Sequence, residues 1–422
     1  MELAIYDYII ASSAILILSF FFSEIARRTN VPSVLMLIIL GIVLKFGLDA
    51  VGLTLPASTQ VILKFLGTVG LIMIVLEAAL ELELKPEKYL PILKAMVIAL
   101  IGLLASTWVA ALILHQFIEG MDMSSAWLYA TPLSILSSAI IIPSVAGLNE
   151  VKKEFHIYES TFSDIMGIML FYFLTGQLEA GDHSSGLTGF AGNVVLTIAI
   201  SFVASYLIVL IFQNIKSHTK LFLLISVLIL LYAVGKKMHL SSLIIILVFG
   251  LLIANMRLFF RGPLARLLDL RKAKQIYEGL HVITMETAFV VRTFFFVVFG
   301  LTISLATLAS VQVALVSLLI IGSIYVIRYV ILRIFIGEDL LPQLYIAPRG
   351  LITILLFFDI PVVAQVEGFE AGILLFIIIA TSIIMTVAMV ADKRRTGKAM
   401  RQAQDLPVGY ERWKAPTVSE VE

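Results

Sequence analysis

The chain has 422 residues, of which 60% are hydrophobic and only 14% are charged, and its formal net charge is +1. Since about a quarter of the residues of an ordinary soluble domain are charged, this composition excludes a soluble globular protein of the same length. The small net charge favours neither an acidic nor a basic partner, and no nucleic acid is expected to bind. The chain has no cysteine, which excludes disulfides and thiol chemistry.

Apolar runs of about 20 residues, the length that crosses a bilayer, recur along the whole chain. The first run has no basic residue before it and Arg27 and Arg28 after it, which is the reverse of a signal peptide. The pattern predicts an all-α polytopic membrane protein surrounded by lipid, with about 13 transmembrane helices. The predicted spans are 5–22, 31–47, 60–80, 91–115, 126–146, 157–177, 190–212, 220–235, 240–256, 284–304, 309–333, 343–358 and 369–391.

The basic residues predict the orientation of these spans. With the N-terminus outside, 23 of the 30 Lys and Arg residues fall in inside loops or the tail, three fall in outside loops, and four fall within spans. Because cytoplasmic loops carry an excess of Lys and Arg, this ratio predicts an outside N-terminus and a cytoplasmic C-terminus.

The chain is predicted to form one transmembrane domain, residues 1–391, followed by a short cytoplasmic tail, 392–422. The tail is too short for a folded regulatory domain. The segment 257–279, which reads RLFFRGPLARLLDLRKAKQIYEG, is predicted to be an amphipathic helix at the cytoplasmic surface that links two halves of the protein.

Two spans contain helix-breaking residues. Span 5 reads TPLSILSSAIIIPSVAG (131–147), with Pro132 and Pro143, and span 12 reads YIAPRGLITILLF (345–357), with Pro348 and Gly350. Either span alone could be a kinked helix. They lie seven spans apart and therefore cross in opposite directions, as they would if spans 1–6 and 8–13 were inverted repeats. Interrupted helices at matching positions of inverted halves indicate a transporter site near the midplane.

Placing charged residues inside these spans costs free energy unless they form ion pairs or contact water. Asp164 is the deepest acid of span 6, Ser160 lies one turn before it on the same face, and Ser163 is adjacent. A carboxylate with neighbouring hydroxyls can bind either a small alkali cation or a proton. The alternative is an acid that is favoured only by the N-terminal end of the helix dipole. The predicted ion- and proton-binding residues are Asp164, Ser163, Ser160, Thr131, Ser137 and Ser138.

Other charged residues receive structural predictions. Glu159 lies about 140° around the helix from Asp164, and we expect it to form an ion pair with Arg349 in the break of span 12. Arg328 lies mid-span, where it could neutralise the ends of the interrupted helices or compete with a cation for Asp164.

Two further charges lie nearer the inner surface. Arg292 is expected to pair locally with Glu286, and Glu77 is expected to pair with Lys85 or to face water. Zinc-protease, P-loop and nucleotide-binding motifs are absent from the sequence, and the six histidines have no metal-binding spacing. No enzymatic activity is therefore expected.

These residues together resemble the monovalent cation:proton antiporters, or sodium/proton exchangers, over residues 5–391. ESTFSD (159–164) is similar to that family's E-S-x-x-N-D motif, and APRGLITILL (347–356) is similar to its G-x-R-G-A segment. Arg328 lies on the span where electroneutral members carry an arginine. The sequence departs from the pattern at Ser163, which replaces an asparagine, and in span 5, which lacks the acid that many members carry.

The resemblance implies exchange of one monovalent cation, with Na⁺ expected, for one H⁺ by alternating access at Asp164, without a cofactor. It also implies a homodimer in a prokaryotic inner (cell) membrane. A moving core would comprise residues 91–177 and 309–391, and a dimerisation scaffold would comprise 5–80 and 190–304.

Other functions remain open at this point. A potassium/proton antiporter is the nearest alternative, and a proton-coupled organic-anion transporter would use Arg328 or Arg349 to hold a carboxylate. A sensor or scaffold that does not transport is a third class, which the short tail disfavours.

Overall fold

The computed structural model describes residues 5–29, 33–50, 59–82, 84, 86–180, 186–215, 220–237, 242–259, 269–302 and 310–405. These residues form fifteen α-helices joined by turns and a few 3₁₀ segments, which confirms the all-α class. The helices are α1 (Ile5–Thr29), α2 (Ser33–Ala50), α3 (Thr59–Glu81), α4 (Tyr89–Phe117), α5 (Met123–Ser134), α6 (Ser138–Ser144), α7 (Glu150–Ala180), α8 (Gly186–Phe212), α9 (Lys220–Lys237), α10 (Ser242–Ala254), α11 (Met256–Phe259), α12 (Leu270–Thr302), α13 (Val311–Phe335), α14 (Leu351–Phe358) and α15 (Gly372–Asp405).

Every predicted span overlaps helical structure. In the part of the chain that the structure describes, ten spans lie on single helices, and span 9 covers α10 and the first residue of α11. Span 5 is divided between α5 and α6, and span 12 comprises a 3₁₀ turn, a non-helical segment and α14. Within the described residues, seven helical segments are by length and composition long and apolar enough to cross a membrane, and three shorter helices are also apolar. In span 12 Pro348 and Gly350 lie in the non-helical segment itself, whereas in span 5 Pro132 and Pro143 lie inside α5 and α6, on either side of the break at 135–137.

The amphipathic segment predicted over 257–279 is helical where the structure describes it, since 257–259 belong to α11 and 270–279 to α12. Residues 260–268 lie outside the described part, and from Leu270 onward the segment is the first part of α12, which continues without a break to Thr302. The amphipathic pattern itself is present, since Ala273 and Ile276 are buried whereas Arg271 is exposed. Of the predicted tail, the residues to Asp405 extend α15 and 406–422 lie outside the described residues.

The helices pack in two groups. In one group α4 packs on α5, α7 and α13, α7 packs on α5 and α6, and α13 packs on α15. In the other, α12 packs on α2 and α3, and α10 packs on α3, α8 and α9. Helices α2 and α12 meet at Gly41 and Gly300, where a Cβ added to Gly300 would lie 3.0 Å from the Gly41 Cα. Small residues therefore let these two backbones approach closely, as in membrane helix pairs generally.

Candidate functional site

The two interrupted spans meet at their breaks. Helix α5 ends at Ser134 and α6 begins at Ser138, while 346–350 form a non-helical segment before α14. The backbone N–H of Ser137 donates to the backbone carbonyl of Pro348 at 3.0 Å. This bond joins the two breaks main chain to main chain and satisfies groups that lipid could not. The prediction of two crossed, interrupted helices is confirmed.

Gly350 is required by the closeness of this crossing. A Cβ at position 350 would lie 2.9 Å from the Ser137 Cβ and 3.0 Å from Ile140 Cδ1. The backbone of Gly350, with φ −163°, is extended and open to any residue. Space rather than conformation therefore requires glycine at this position.

Arg349 holds the crossing together through backbone carbonyls. Its side chain is 2% exposed; Nε donates to the Leu133 carbonyl at 2.7 Å, and Nη1 donates to the Ala347 carbonyl at 3.0 Å. Its backbone N–H donates to Thr381 Oγ1 at 3.1 Å. Leu133 lies in the last turn of α5, where the carbonyl ends of the helix favour a positive charge. Arg349 thus binds the end of the interrupted helix rather than a carboxylate.

The predicted ion pair between Glu159 and Arg349 is wrong, because Glu159 pairs with Arg328. Arg328 Nη1 donates to Oε1 at 2.8 Å and Nη2 donates to Oε2 at 3.0 Å, while Nε donates to the Gln343 carbonyl at 3.0 Å. Glu159 is 1% exposed and Arg328 is 9% exposed. Helix α13 presents Arg328 to this face of α7, whereas the Arg349 side chain turns back to α5. His156 Nδ1 lies 3.3 Å from Glu159 Oε2, although it makes no hydrogen bond of normal geometry.

Asp164 is buried without an ion pair in the described structure. It is 2% exposed, and neither carboxylate oxygen makes a hydrogen bond of normal geometry to another described residue. The hydroxyl and the backbone N–H of Ser138, the first residue of α6, lie within interaction range of this carboxylate. Of the predicted binding residues, Ser138 is therefore the one whose polar groups the structure brings to Asp164.

The remaining predicted hydroxyls bind backbone groups around the crossing. Ser163 Oγ accepts from the Leu136 N–H at 3.0 Å, Ser160 Oγ donates to the His156 carbonyl at 2.7 Å, and Thr131 Oγ1 donates to the Trp127 carbonyl at 2.8 Å. Ser137 contributes its backbone N–H and packs under Gly350. Since a hydroxyl oxygen has two lone pairs, each of these groups keeps acceptor capacity, and their role as cation ligands stays a prediction.

A second arginine–glutamate pair lies nearer the predicted cytoplasmic side. Arg292 Nη2 donates to Glu77 Oε2 at 2.6 Å, so the predicted pairing of Arg292 with Glu286 is wrong. Six residues of helix place Glu286 about 120° around the axis from Arg292, and Glu286 is exposed. Lys85, the other partner considered for Glu77, lies outside the described residues. Glu77 and Arg292 line a cavity of about 220 Å³ that also touches Ser138.

Several contacts of this region were not predicted from the sequence. Gln343 supplies the carbonyl that Arg328 binds, Thr381 receives the Arg349 N–H, and Asp359 accepts a hydrogen bond from Tyr172 Oη at 2.6 Å. Thr381 could have been noticed as a polar residue inside the apolar run ILLFIIIATSIIM (373–385). The Gln343 contact uses a backbone group, which leaves no signal in the sequence.

A buried carboxylate beside the crossing of two interrupted helices defines a class, the secondary transporters that bind their substrate near the membrane midplane. Residues 13–346 match the family model described as "Sodium/hydrogen exchanger, transmembrane". The chain therefore belongs to the sodium/hydrogen exchanger family, whose members are transporters and not enzymes. This confirms the antiporter class and the integral, multi-pass character that the sequence predicted.

Solved structures of one relative share the fold. The sodium proton antiporter MjNhaP1 from Methanocaldococcus jannaschii at pH 8 superposes with a TM-score of 0.65 and 20% identity, covering 94% of this chain and 98% of that one. An electron-microscopy structure of the same antiporter gives a TM-score of 0.64 and 20% identity, over 97% and 100% of the two chains. A search of curated protein sequences found no match.

Proposed function

We propose that the protein exchanges one Na⁺ for one H⁺ and that the Asp164 carboxylate carries each in turn. The single observation that carries this proposal is the state of Asp164, which is buried, has no ion pair among the described residues and lies beside Ser138 at the crossing. The nearby basic groups Arg328 and Arg349 donate to Glu159 and to backbone carbonyls instead.

The burial of Asp164 accounts for exchange rather than leak. A bare carboxylate is expensive to bury without a compensating charge or hydrogen bonds. The site is therefore favoured when it holds either a proton or a cation, and both loaded forms of Asp164 are neutral. Movement of the empty, charged form is disfavoured, which couples inward movement of one substrate to outward movement of the other.

This scheme gives one cation for one proton. A single acid without a positive partner carries one charge equivalent in each direction, so a full cycle moves no net charge. The oxygen donors near Asp164 suit small hard cations. Na⁺ is the proposed substrate, and K⁺ is the alternative that a series of cations distinguishes.

The packing of the helices supports a moving core and a fixed scaffold. The core is proposed to comprise α4–α7 and α13–α15, and the scaffold α1–α3 and α8–α12, because the most extensive helix contacts fall within each set. We further propose a homodimer in a prokaryotic inner membrane. The N-terminus lies outside and the C-terminus is cytoplasmic, as the distribution of basic residues favours.

The organic-anion alternative is weakened by the same geometry. Such a transporter would need an arginine that is available to a substrate carboxylate. Arg328 already binds the Glu159 carboxylate through Nη1 and Nη2 and a backbone carbonyl through Nε. Arg349 binds two backbone carbonyls.

The test uses the purified protein in proteoliposomes with an imposed pH gradient and an internal pH dye. Na⁺, Li⁺, K⁺ and choline are added in turn to the wild type, to Asp164→Asn and to Asp49→Asn, which changes an exposed acid away from the crossing and serves as the control. We expect an alkali cation to dissipate the gradient in the wild type and the control, but not in Asp164→Asn. Unchanged exchange by Asp164→Asn, or no alkali-cation response by a folded wild type, would overturn the proposal.

A further inference from the structure

The two arginine–glutamate pairs of the interior differ in strength. Arg328 binds Glu159 with two parallel hydrogen bonds and is 9% exposed, as a fixed structural pair would be. Arg292 binds Glu77 through a single nitrogen, at 2.6 Å, and these side chains are 20% and 18% exposed. Arg292 Nε is buried and has no hydrogen-bond partner among the described residues. The second pair is thus held by one bond and leaves a donor unused.

The position of the weaker pair gives it access to the site. The cavity of about 220 Å³ is lined on α3 by Glu77 and Glu81, on α12 by Arg292 and on α6 by residues that include Ser138 and Ala139. Ser138 is also the residue that faces Asp164. The cavity therefore extends from the Glu77–Arg292 pair to the wall of the proposed ion site.

The cavity lies between the two packing groups. Helices α3 and α12 pack closely on each other, whereas α6 packs on α7. Any relative movement of the groups changes the width of this cavity. Glu81 lies one helical turn beyond Glu77 on α3, so Arg292 has a second carboxylate within the same cavity to which it could transfer.

We propose that the Glu77–Arg292 pair is a latch on the route between the predicted cytoplasmic surface and Asp164, opened when Arg292 leaves Glu77. Arg292 acts as a resident cation that competes with the transported cation for the carboxylates of the cavity. It is a positioning residue and does not itself touch the bound ion. The proposal rests on the proposed function, although its main test does not depend on transport.

Accessibility of the cavity wall provides that test, because the chain contains no cysteine. Ala139→Cys places one thiol on the wall that α6 contributes. Its labelling rate in membranes is measured with a cationic and with an anionic methanethiosulfonate of similar size, alone and combined with Arg292→Gln. The matched control is Lys274→Gln, which removes an exposed positive charge from the same helix α12.

We expect Arg292→Gln to raise the labelling rate several-fold with both reagents, and Lys274→Gln to leave both rates unchanged. Glu77→Gln, which removes the acceptor without altering Arg292, should also raise both rates and serves if Arg292→Gln does not fold. If Arg292→Gln labels faster with the cationic reagent but more slowly with the anionic one, only the local electrostatic potential has changed. That result would overturn the latch. Rates equal to those of the parent in both variants would also overturn it.

Transport kinetics provide a second test, because a purely structural role of the pair would not change the KM for the cation selectively. Loss of the competing guanidinium should lower the KM for the cation at a nearly unchanged kcat in Arg292→Gln. Glu77→Gln should raise the KM, because it removes a negative charge from the route. If the wild type exchanges no cation, the proposed function fails, whereas the labelling experiment still decides the latch.

Discussion

Arg328 and Arg349 are both buried and line the same cavity, and they bind different kinds of acceptor. Arg328 compensates a carboxylate, so the pair with Glu159 is neutral within the protein. Arg349 binds the carbonyls of Leu133 and Ala347. Substitution of Glu159 therefore leaves a buried charge without its partner, whereas Arg349 does not depend on any carboxylate.

The first prediction concerns Glu159→Gln. Breaking a buried ion pair by removing one partner costs about 3–5 kcal/mol, and we expect a loss of this size in the free energy of unfolding, measured by denaturant titration in detergent. The control is Glu154→Gln, which breaks the partly exposed pair with Lys88. Surface pairs contribute only about 0–1 kcal/mol. Equal stability of the two variants would mean that the Arg328 pair is not structural.

The second prediction concerns Gly350→Ala. The added methyl group would press on Ser137 and Ile140, and overpacking of this kind costs about 1–3 kcal/mol. Gly322→Ala, in α13, is the matched control because an added Cβ there meets nothing within 4 Å. The control should be neutral or stabilising by up to about 1 kcal/mol, since alanine favours a helix. The stability of both purified variants is measured by thermal unfolding. A Gly350→Ala variant as stable as the control would contradict the close crossing.

At this scale the sequence predicts which residues are buried and charged better than which residues they bind. Periodicity assigns Glu159 and Asp164 to different faces of α7, as found. It does not say which neighbouring helix covers a face, and so Glu159 was assigned to Arg349 rather than Arg328. The angle of about 120° between Arg292 and Glu286 already disfavours their pairing from the sequence alone.

Among the helices, α5 connects a surface cap to the site. Asp122 precedes its first residue and accepts the N–H groups of Ser124 at 3.1 Å and Ser125 at 3.3 Å. The last turn of the same helix carries the Leu133 carbonyl that Arg349 binds. The stability of α5 at its outer end therefore affects the placement of the crossing.

The third prediction concerns this cap and its pH dependence. Partial burial raises the pKa of Asp122, but the hydrogen bonds from Ser125 and Ser124 outweigh it and hold the pKa below the ordinary 3.8. Because the folded-state pKa is lowered, the stabilisation is fully present above about pH 4 and is lost as the pH falls through the folded-state value. Asp122→Ala should lower the unfolding free energy by about 0.5–2 kcal/mol at neutral pH.

Thermal unfolding of wild type and Asp122→Ala between pH 3 and 7 measures this difference. It should shrink toward the acid end of the range. A difference that is constant with pH would assign the loss to packing rather than to the charged cap.

The breaks of α5/α6 and of span 12 are predictable because proline and glycine act locally. The continuity of α12 is harder to predict. The polar part from Leu270 and the apolar part that ends at Thr302 have different compositions, and no helix breaker separates them, since Gly279 alone is tolerated within a helix. A change of composition was therefore interpreted as a change of element.

For the whole molecule, the fourth prediction concerns orientation. Glu119 lies in the turn before α5 and Val151 lies in the first turn of α7; both are exposed, at opposite ends of the interrupted span 5. In this cysteine-free chain, Glu119→Cys should react with a membrane-impermeant thiol reagent added outside intact cells. Val151→Cys should react only after permeabilisation. The reverse pattern would invert the proposed topology, and labelling is read on gels of the purified variants.

The arrangement of helices in space was less accessible to sequence reasoning than their number. Apolar length and loop charge predict thirteen spans because the bilayer imposes both. The close approach of α2 and α12 at Gly41 and Gly300 depends on two glycines that are far apart in the chain. Nothing in their local sequences pairs them.

The bond from Ser137 to Pro348 has a consequence for genetics. It uses only main-chain atoms, so Ser137→Ala and Pro348→Ala would leave it intact and would report these two positions as tolerant. The side chains at positions 137 and 348 can therefore be substituted while the main-chain hydrogen bond remains. An amide-to-ester exchange at the nitrogen of Ser137, introduced by semisynthesis, removes this donor while it keeps every side chain, and it would reveal a joint that side-chain mutagenesis does not detect.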